Sequence, residues 1–365
     1  MNNTKAAEIG STANHINNSA SIFFDVLRIL ATLTVLIGHA YNQWLFKKWH
    51  VYTQMDNAAH AAVVVFFVLS GYVIAYTTAK GNRGWRQYAQ ARLSRLCSVV
   101  IPALLITGII ELVVRYYDTA FITDYSRGLT WQRYIFSGFF LNEIWFFSAA
   151  PPVNGPLWSL SFEFWYYVIF GCWIYSGKGI KSLLLPLIAC VVAGPKILLM
   201  MPIWLAGCAA YRLPKPAFSV QTAWLLIMAC IAGAVATVLY IPSFPLTVGA
   251  RPLFFAGQFV TDWMTGSFVA LAFWLLPLSK TVVINTPKVK FIRKVADFTF
   301  PIYVLHNPLL FFFRFLLRNH PSNYWQMVIA VMVVIIVGSC IGLIIEAQRV
   351  LWVNGFKRLL GLSKV

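Results

Sequence analysis

Ser21-Ile-Phe-Phe-Asp25-Val-Leu-Arg28-Ile-Leu-Ala-Thr-Leu-Thr-Val-Leu-Ile-Gly-His39-Ala-Tyr41 is the stretch that decides how this chain folds. It is long and apolar enough to cross a bilayer as a helix, yet it holds an arginine and a histidine. Ionisable side chains in lipid cost about 2.5–3.5 kcal/mol even on lenient insertion scales, so they mark functional sites by default. Eleven residues at about 100° each bring His39 to within about 20° of Arg28 around the helix, and about 16 Å further along it. One face thus carries a fixed cation near one membrane surface and a titratable imidazole deep inside.

The rest of the chain repeats the membrane signal. Apolar residues make up 59% of 365 and charged residues 11%, well under the roughly 25% of a soluble domain. Ten spans are expected, near 22–44, 58–78, 96–117, 157–176, 182–196, 198–212, 219–240, 258–279, 298–317 and 325–346. Lipid forces backbone hydrogen bonds inward, so the fold class is all-α, a polytopic transmembrane helical bundle. The fifth and sixth spans are short and split by Gly194-Pro195, and one re-entrant hairpin is the alternative. With the N-terminus in the cytoplasm, 19 of the 29 Lys and Arg fall on the cytoplasmic side, nine fall outside or near the outer ends of spans, and Arg28 sits within the first span. That asymmetry places both termini inside, in a multi-pass protein of the cytoplasmic (inner) membrane. The net charge of +18 is then chiefly a topology signal, with a basic face for anionic lipid or a phosphorylated small molecule. No arrangement suggests nucleic-acid binding.

Residues 1–20 read as a polar, disordered cytoplasmic tail, 21–348 as one membrane domain and 349–365 as a basic cytoplasmic tail. The first segment lacks the pattern of a cleaved signal peptide. Six cysteines scattered through the spans, with no Cys-x-x-Cys, indicate neither a disulfide framework nor a metal site. The longest outer connection, Asp118 to Pro156, contains the aromatic run Trp131 to Phe147. It reads as a helix in the outer interface, serving as an aromatic anchor belt or as a platform for sugar rings.

Four segments carry candidate chemistry. Histidine is a general base near neutral pH and arginine a forked donor to phosphate or carboxylate. His39 and Arg28 therefore suit catalysis and anion binding, the alternative being an Arg28–Asp25 pair and a carbonyl-bound histidine. Arg92 and Arg95 lie three apart and share a helix face, which suits a multiply phosphorylated ligand as well as a topology anchor. Glu163, in Trp158-Ser159-Leu-Ser161-Phe-Glu163, is the acid of its span and needs a partner. It either orients His39 or ties helices together with Ser159 and Ser161. Tyr303, His306 and Asn307 lie in the ninth span between Pro301 and Pro308, whose freed carbonyls such side chains can satisfy.

Taken together these segments resemble the integral-membrane acyltransferase-3 family of bacterial surface-glycan O-acyltransferases. The markers are Asp25-x-x-Arg28 with His39 eleven residues on, Phe66-Phe-Val-Leu-Ser70-Gly71-Tyr, Arg92-x-x-Arg95, Leu157-Trp-Ser-Leu-Ser-Phe-Glu163 and Tyr303-x-x-His306-x-Pro308. The resemblance implies an acyl-CoA donor, usually acetyl-CoA, used as co-substrate with no permanently bound cofactor. It implies essential Arg28 and His39, with Arg92 and Arg95 on the donor side. Many relatives carry a second acid where this chain has Phe164. Some carry an extracytoplasmic esterase-like domain, so this chain is expected to transfer without that module or to hand the acyl group to a partner. The expected partners are acyl-CoA, membrane lipids and a glycan acceptor, exopolysaccharide or its lipid-linked repeat unit first, with polysaccharide-export machinery as a candidate. The rival is a flippase for a lipid-linked glycan or an acyl exporter, which intramembrane charges also fit. The chain lacks the paired, Gly/Pro-broken halves that transporters often show.

Overall fold

A computed structural model describes residues 18–45, 52–81, 84–123, 125, 128–177, 179–277, 286–317 and 323–362. The N-terminal 17 residues, Arg83 and Lys280 lie outside the described residues. All regular structure among the described residues is helical. The helices are α1 (Asn18–Leu45), α2 (Tyr52–Lys80), α3 (Trp85–Tyr117), α4 (Thr119–Thr123), α5 (Thr130–Gly138), α6 (Trp158–Tyr175), α7 (Leu184–Ala193), α8 (Pro195–Arg212), α9 (Val220–Tyr240), α10 (Phe259–Trp274), α11 (Pro287–Asp297), α12 (Thr299–Leu316) and α13 (Tyr324–Leu359).

Five of these, α1, α2, α3, α9 and α13, are each long and apolar enough to cross a membrane alone, and two bent pairs raise that to seven. The α7–α8 pair turns through 119° at Gly194, whose φ of +80° favours glycine. A Cβ there would also lie 2.6 Å from the Trp145 backbone. Sequence places this break correctly, and the angle makes the segment a broken span or a re-entrant loop. The α11–α12 pair bends by 44°. The last helix runs on through Leu359, so residues 349–359 are helical.

Close approach of small residues holds the centre. α2 packs on both α1 and α8. A Cβ on Gly71 would fall 1.9 Å from the Trp204 carbonyl oxygen, and one on Gly207 2.0 Å from that of Val68. The two helices therefore cross backbone to backbone, as small residues allow in membranes. Gly38 does the same for α1, with Ala59 Cβ at 2.9 Å from its virtual Cβ. The next residue, His39, is turned about 100° onward, toward α12.

The connection from Asp118 to Pro156 differs from the expected interfacial helix. Helix α5 stops at Gly138, and Phe140 and Trp145 take positive φ, so the chain folds back as a loop. Asn142, Glu143 and Asn154 are buried. Arg133 Nη1 donates to the carbonyls of Ser148 (3.2 Å) and Ala150 (3.1 Å). Lys196 of α8 donates to Glu143 Oε2 and to the Phe147 carbonyl, with both charged side chains 0% exposed. Trp131, Phe139, Trp145, Phe146 and Phe147 stay exposed, as an aromatic girdle at an interface would.

Candidate functional site

Arg28, Arg92 and Arg95 line one cleft with Ser159, Glu163 and Tyr303. Its volume, counted to the open mouth, is about 740 Å³. Three guanidiniums thus converge from two helices, because the i, i+3 spacing puts Arg92 and Arg95 on one face of α3 and α1 presents Arg28 opposite. Asp25 Oδ1 accepts from Arg28 Nη1 at 3.4 Å. Arg92 Nη2 donates to Thr77 Oγ1 at 3.0 Å, and its guanidinium lies over the rings of Tyr88 and Tyr167. Like charges held this close favour an anion between them.

Glu163 sits on the cleft wall, and its partners differ from the expected one. Ser70 Oγ donates to Glu163 Oε1 at 2.7 Å, and the Tyr167 hydroxyl donates to the same oxygen. Trp204 Nε1 donates to Ser70 Oγ at 3.2 Å. The pairing of Glu163 with His39 is not formed. The carboxylate instead joins α6, α2 and α8 and supplies one negative charge among three positive ones. Ser159 and Tyr303 share a hydroxyl contact of 2.6 Å in the same cleft, whereas Ser161 turns away and donates to the Phe140 carbonyl.

His39 lies against His306, with ring centroids 5.1 Å apart and planes tilted by 37°. His306 in turn neighbours Tyr303, with ring centroids 5.8 Å apart. The cleft therefore ends one helical turn from the imidazole pair. The expected use of the freed carbonyls also needs correcting. Pro308 leaves the Val304 carbonyl without its helix donor, and Asn154 Nδ2 takes it at 3.1 Å. Asn307 Nδ2 donates instead to the Val153 carbonyl at 2.9 Å and its Oδ1 accepts from Gln43. His306 Nδ1 meets the Tyr303 carbonyl. Residues flanking His306 thus tie α12 to the folded loop that carries Val153 and Asn154.

Sequence reasoning did not select Tyr167, Trp204 or the hub role of Ser70. Ser70 was visible in the Ser70-Gly71 marker, but its partners come from helices about 90 and 130 positions away. It also missed a second buried pair, His60 Nε2 with Asp262 Oδ2 at 2.9 Å. There Gln258 donates to the other carboxylate oxygen, and the His60 ring stacks on Trp158. Among the described residues no group of His, Cys, Asp and Glu could hold a metal ion.

Fold and site together define a polytopic helical membrane protein with a guanidinium-lined cleft, one wall of which lies a helical turn from a pair of packed histidines. The chain matches the acyltransferase domain of the acyltransferase-3 family over residues 21–344, and it belongs to that family. It is 24% identical over 202 residues to an O-acetyl transferase of Shigella phage Sf6, covering 50% of this chain and 57% of the phage protein. It is 26% identical over 179 residues to nodulation protein 10 of Rhizobium leguminosarum bv. viciae, covering 43% of this chain and 44% of that protein. The matched region thus spans about half the length of these curated relatives. No solved structure matches the chain.

Proposed function

We propose that the protein moves an acetyl group from cytosolic acetyl-CoA to a hydroxyl of a glycan outside the cytoplasmic membrane, an exopolysaccharide or its lipid-linked repeat unit before others. The observation that carries this reading is the arginine cleft, whose wall residue Tyr303 neighbours His306, the ring against which His39 packs. In this account the end of the bundle bearing Arg92 and Arg95 faces the cytosol, in keeping with the positive-inside rule. The CoA phosphates bind Arg92 and Arg95, where paired forks suit phosphate geometry. The pantetheine arm runs past Arg28 and Tyr303, along the roughly 16 Å between Arg28 and His39.

His39 acts as general base. It takes the proton of the acceptor hydroxyl as that oxygen attacks the thioester carbonyl. The C–S bond then breaks, and the protonated imidazole returns the proton to the departing thiolate. The products are an O-acetyl ester and free CoA, with no net change at His39. Glu163 sets one carboxylate beside the three guanidiniums and fixes the cleft wall through Ser70 and Tyr167. Deep placement of the base is what a two-compartment reaction needs, since donor and acceptor reach it from opposite faces.

Purified protein in vesicles, given labelled acetyl-CoA and a hydroxyl-bearing acceptor glycan, tests the reading. Covalent label on the glycan supports it, and glycan crossing the bilayer unlabelled supports a flippase instead. Analysis of O-acyl groups on surface glycans from a deletion strain, complemented with wild type or His39→Ala, identifies the acceptor.

A further inference from the structure

The expected orienting carboxylate is absent from His39, and a different group occupies its place. His306 is 1% exposed. Its Nδ1 meets the Tyr303 carbonyl oxygen, and a carbonyl only accepts, so Nδ1 carries the hydrogen. In the neutral ring Nε2 is then a bare acceptor, and it is buried with no hydrogen-bond partner. Leaving such an atom unpaired in a protein interior is costly. The ring nearest to it that can donate is His39, at a centroid separation of 5.1 Å. Two imidazoles joined edge to edge by an N–H···N bond of about 2.9 Å have centroids about 5.2 Å apart. Face-to-face stacking would bring them closer.

We propose that His306 is the positioning residue for His39: its Nε2 accepts a hydrogen bond from one ring nitrogen of His39 and leaves the other nitrogen bare as the proton acceptor. The inference rests on the reading of His39 as the base. It asks only for a rotation of the His39 ring at its present spacing, the kind of tightening that catalytic hydrogen bonds undergo in the substrate complex. The role matches that of the third group in a nucleophile–base–orienter set, which fixes a tautomer rather than moving a proton. The surroundings reinforce it. Asn307, one position on, is committed to Val153 and Gln43, and Glu163 to Ser70 and Tyr167, so neither competes for His39. Tyr303 serves twice, its hydroxyl on Ser159 in the cleft and its carbonyl fixing the His306 tautomer.

Two substitutions separate positioning from packing. His306→Asn keeps a donor near the Nδ1 position, and with it the tie to Tyr303, but loses the distal acceptor. His306→Gln places an oxygen near the Nε2 position and loses the tie. A packing role favours Asn, and a positioning role favours Gln. The expected result is a kcat for His306→Asn lower by about 100-fold, KM for acetyl-CoA unchanged, and His306→Gln retaining activity within about tenfold of wild type. Asparagine equal to or better than glutamine overturns the proposal, as do two variants of wild-type rate. An independent readout is an N–H···N coupling between two imidazoles in 15N-histidine spectra of the protein in lipid vesicles, present in wild type and lost in His306→Asn. Should wild type transfer no acetyl group, the functional reading fails, and this coupling alone decides the contact.

Discussion

In the proposed mechanism the paired arginines of the cleft bind rather than react, and that role predicts a kinetic signature. Arg92 and Arg95 hold phosphate in the proposed mechanism, so Arg92→Ala and Arg95→Ala should raise KM for acetyl-CoA by about 10- to 100-fold while leaving kcat nearly unchanged. Steady-state kinetics in detergent checks this. A fall in kcat at constant KM would move these residues from binding to chemistry. Glu163 gives the sharper contrast. Held by Ser70 and Tyr167 and away from His39, it should tolerate Glu163→Gln with a loss of about tenfold or less, whereas His39→Ala removes general-base catalysis, about 10²- to 10⁴-fold. Sequence could place Arg92 and Arg95 on one face, because i, i+3 geometry is local. It could not place Glu163, because that side chain's partner depends on where α2 and α8 bring Ser70 and Trp204. The His39–His306 contact was hidden for the same reason: two helices 267 positions apart in sequence meet there.

At the scale of the element, the crossing of α2 and α8 decides the shape of the site. The Ser70-Gly71 marker has a plain physical content. Glycine lets the helices touch, and the serine beside it then reaches Glu163, Tyr167 and Trp204. Gly71→Val has no room, with a Cβ 1.9 Å from a backbone oxygen that no rotamer can move. It should cost about 1–3 kcal/mol or more as overpacking, seen as a lower midpoint of thermal unfolding in detergent. An unchanged midpoint would mean that the helices are not in backbone contact. Span length was legible wherever an uninterrupted apolar run existed, as in α1, α2, α3, α9 and α13. The loop from Phe139 to Pro156 was not, since its aromatic run suits an interfacial helix as well as a loop. Its course is set by Lys196, Arg133 and Gly194, which meet it from other elements and from earlier in the chain.

Over the whole molecule, that loop is tied to α12 through Asn154 and Asn307, and one buried ion pair pins it. Removing one member of such a pair strands the other without solvent, so Lys196→Ala should destabilise by about 3–5 kcal/mol. The double substitution Glu143→Leu with Lys196→Met should recover most of that loss, since an apolar pair leaves no stranded charge. Thermal unfolding of the three proteins compares them, and a double variant as unstable as the single would mean the charges themselves are needed. The net charge of +18 was readable at once, yet its meaning lies in distribution: basic side chains collect where α2 ends and where α3 and α11 begin, and Arg92 and Arg95 among them line the cleft. In the proposed mechanism donor and acceptor reach His39 from opposite faces of one bundle. The most direct measurement is transfer of labelled acetyl from acetyl-CoA to an acceptor glycan by wild type and His39→Ala in sealed vesicles of known orientation. The account predicts labelled glycan only when acetyl-CoA is supplied on the side bearing Arg92 and Arg95, and none above background from the variant. Equal labelling by His39→Ala would contradict it.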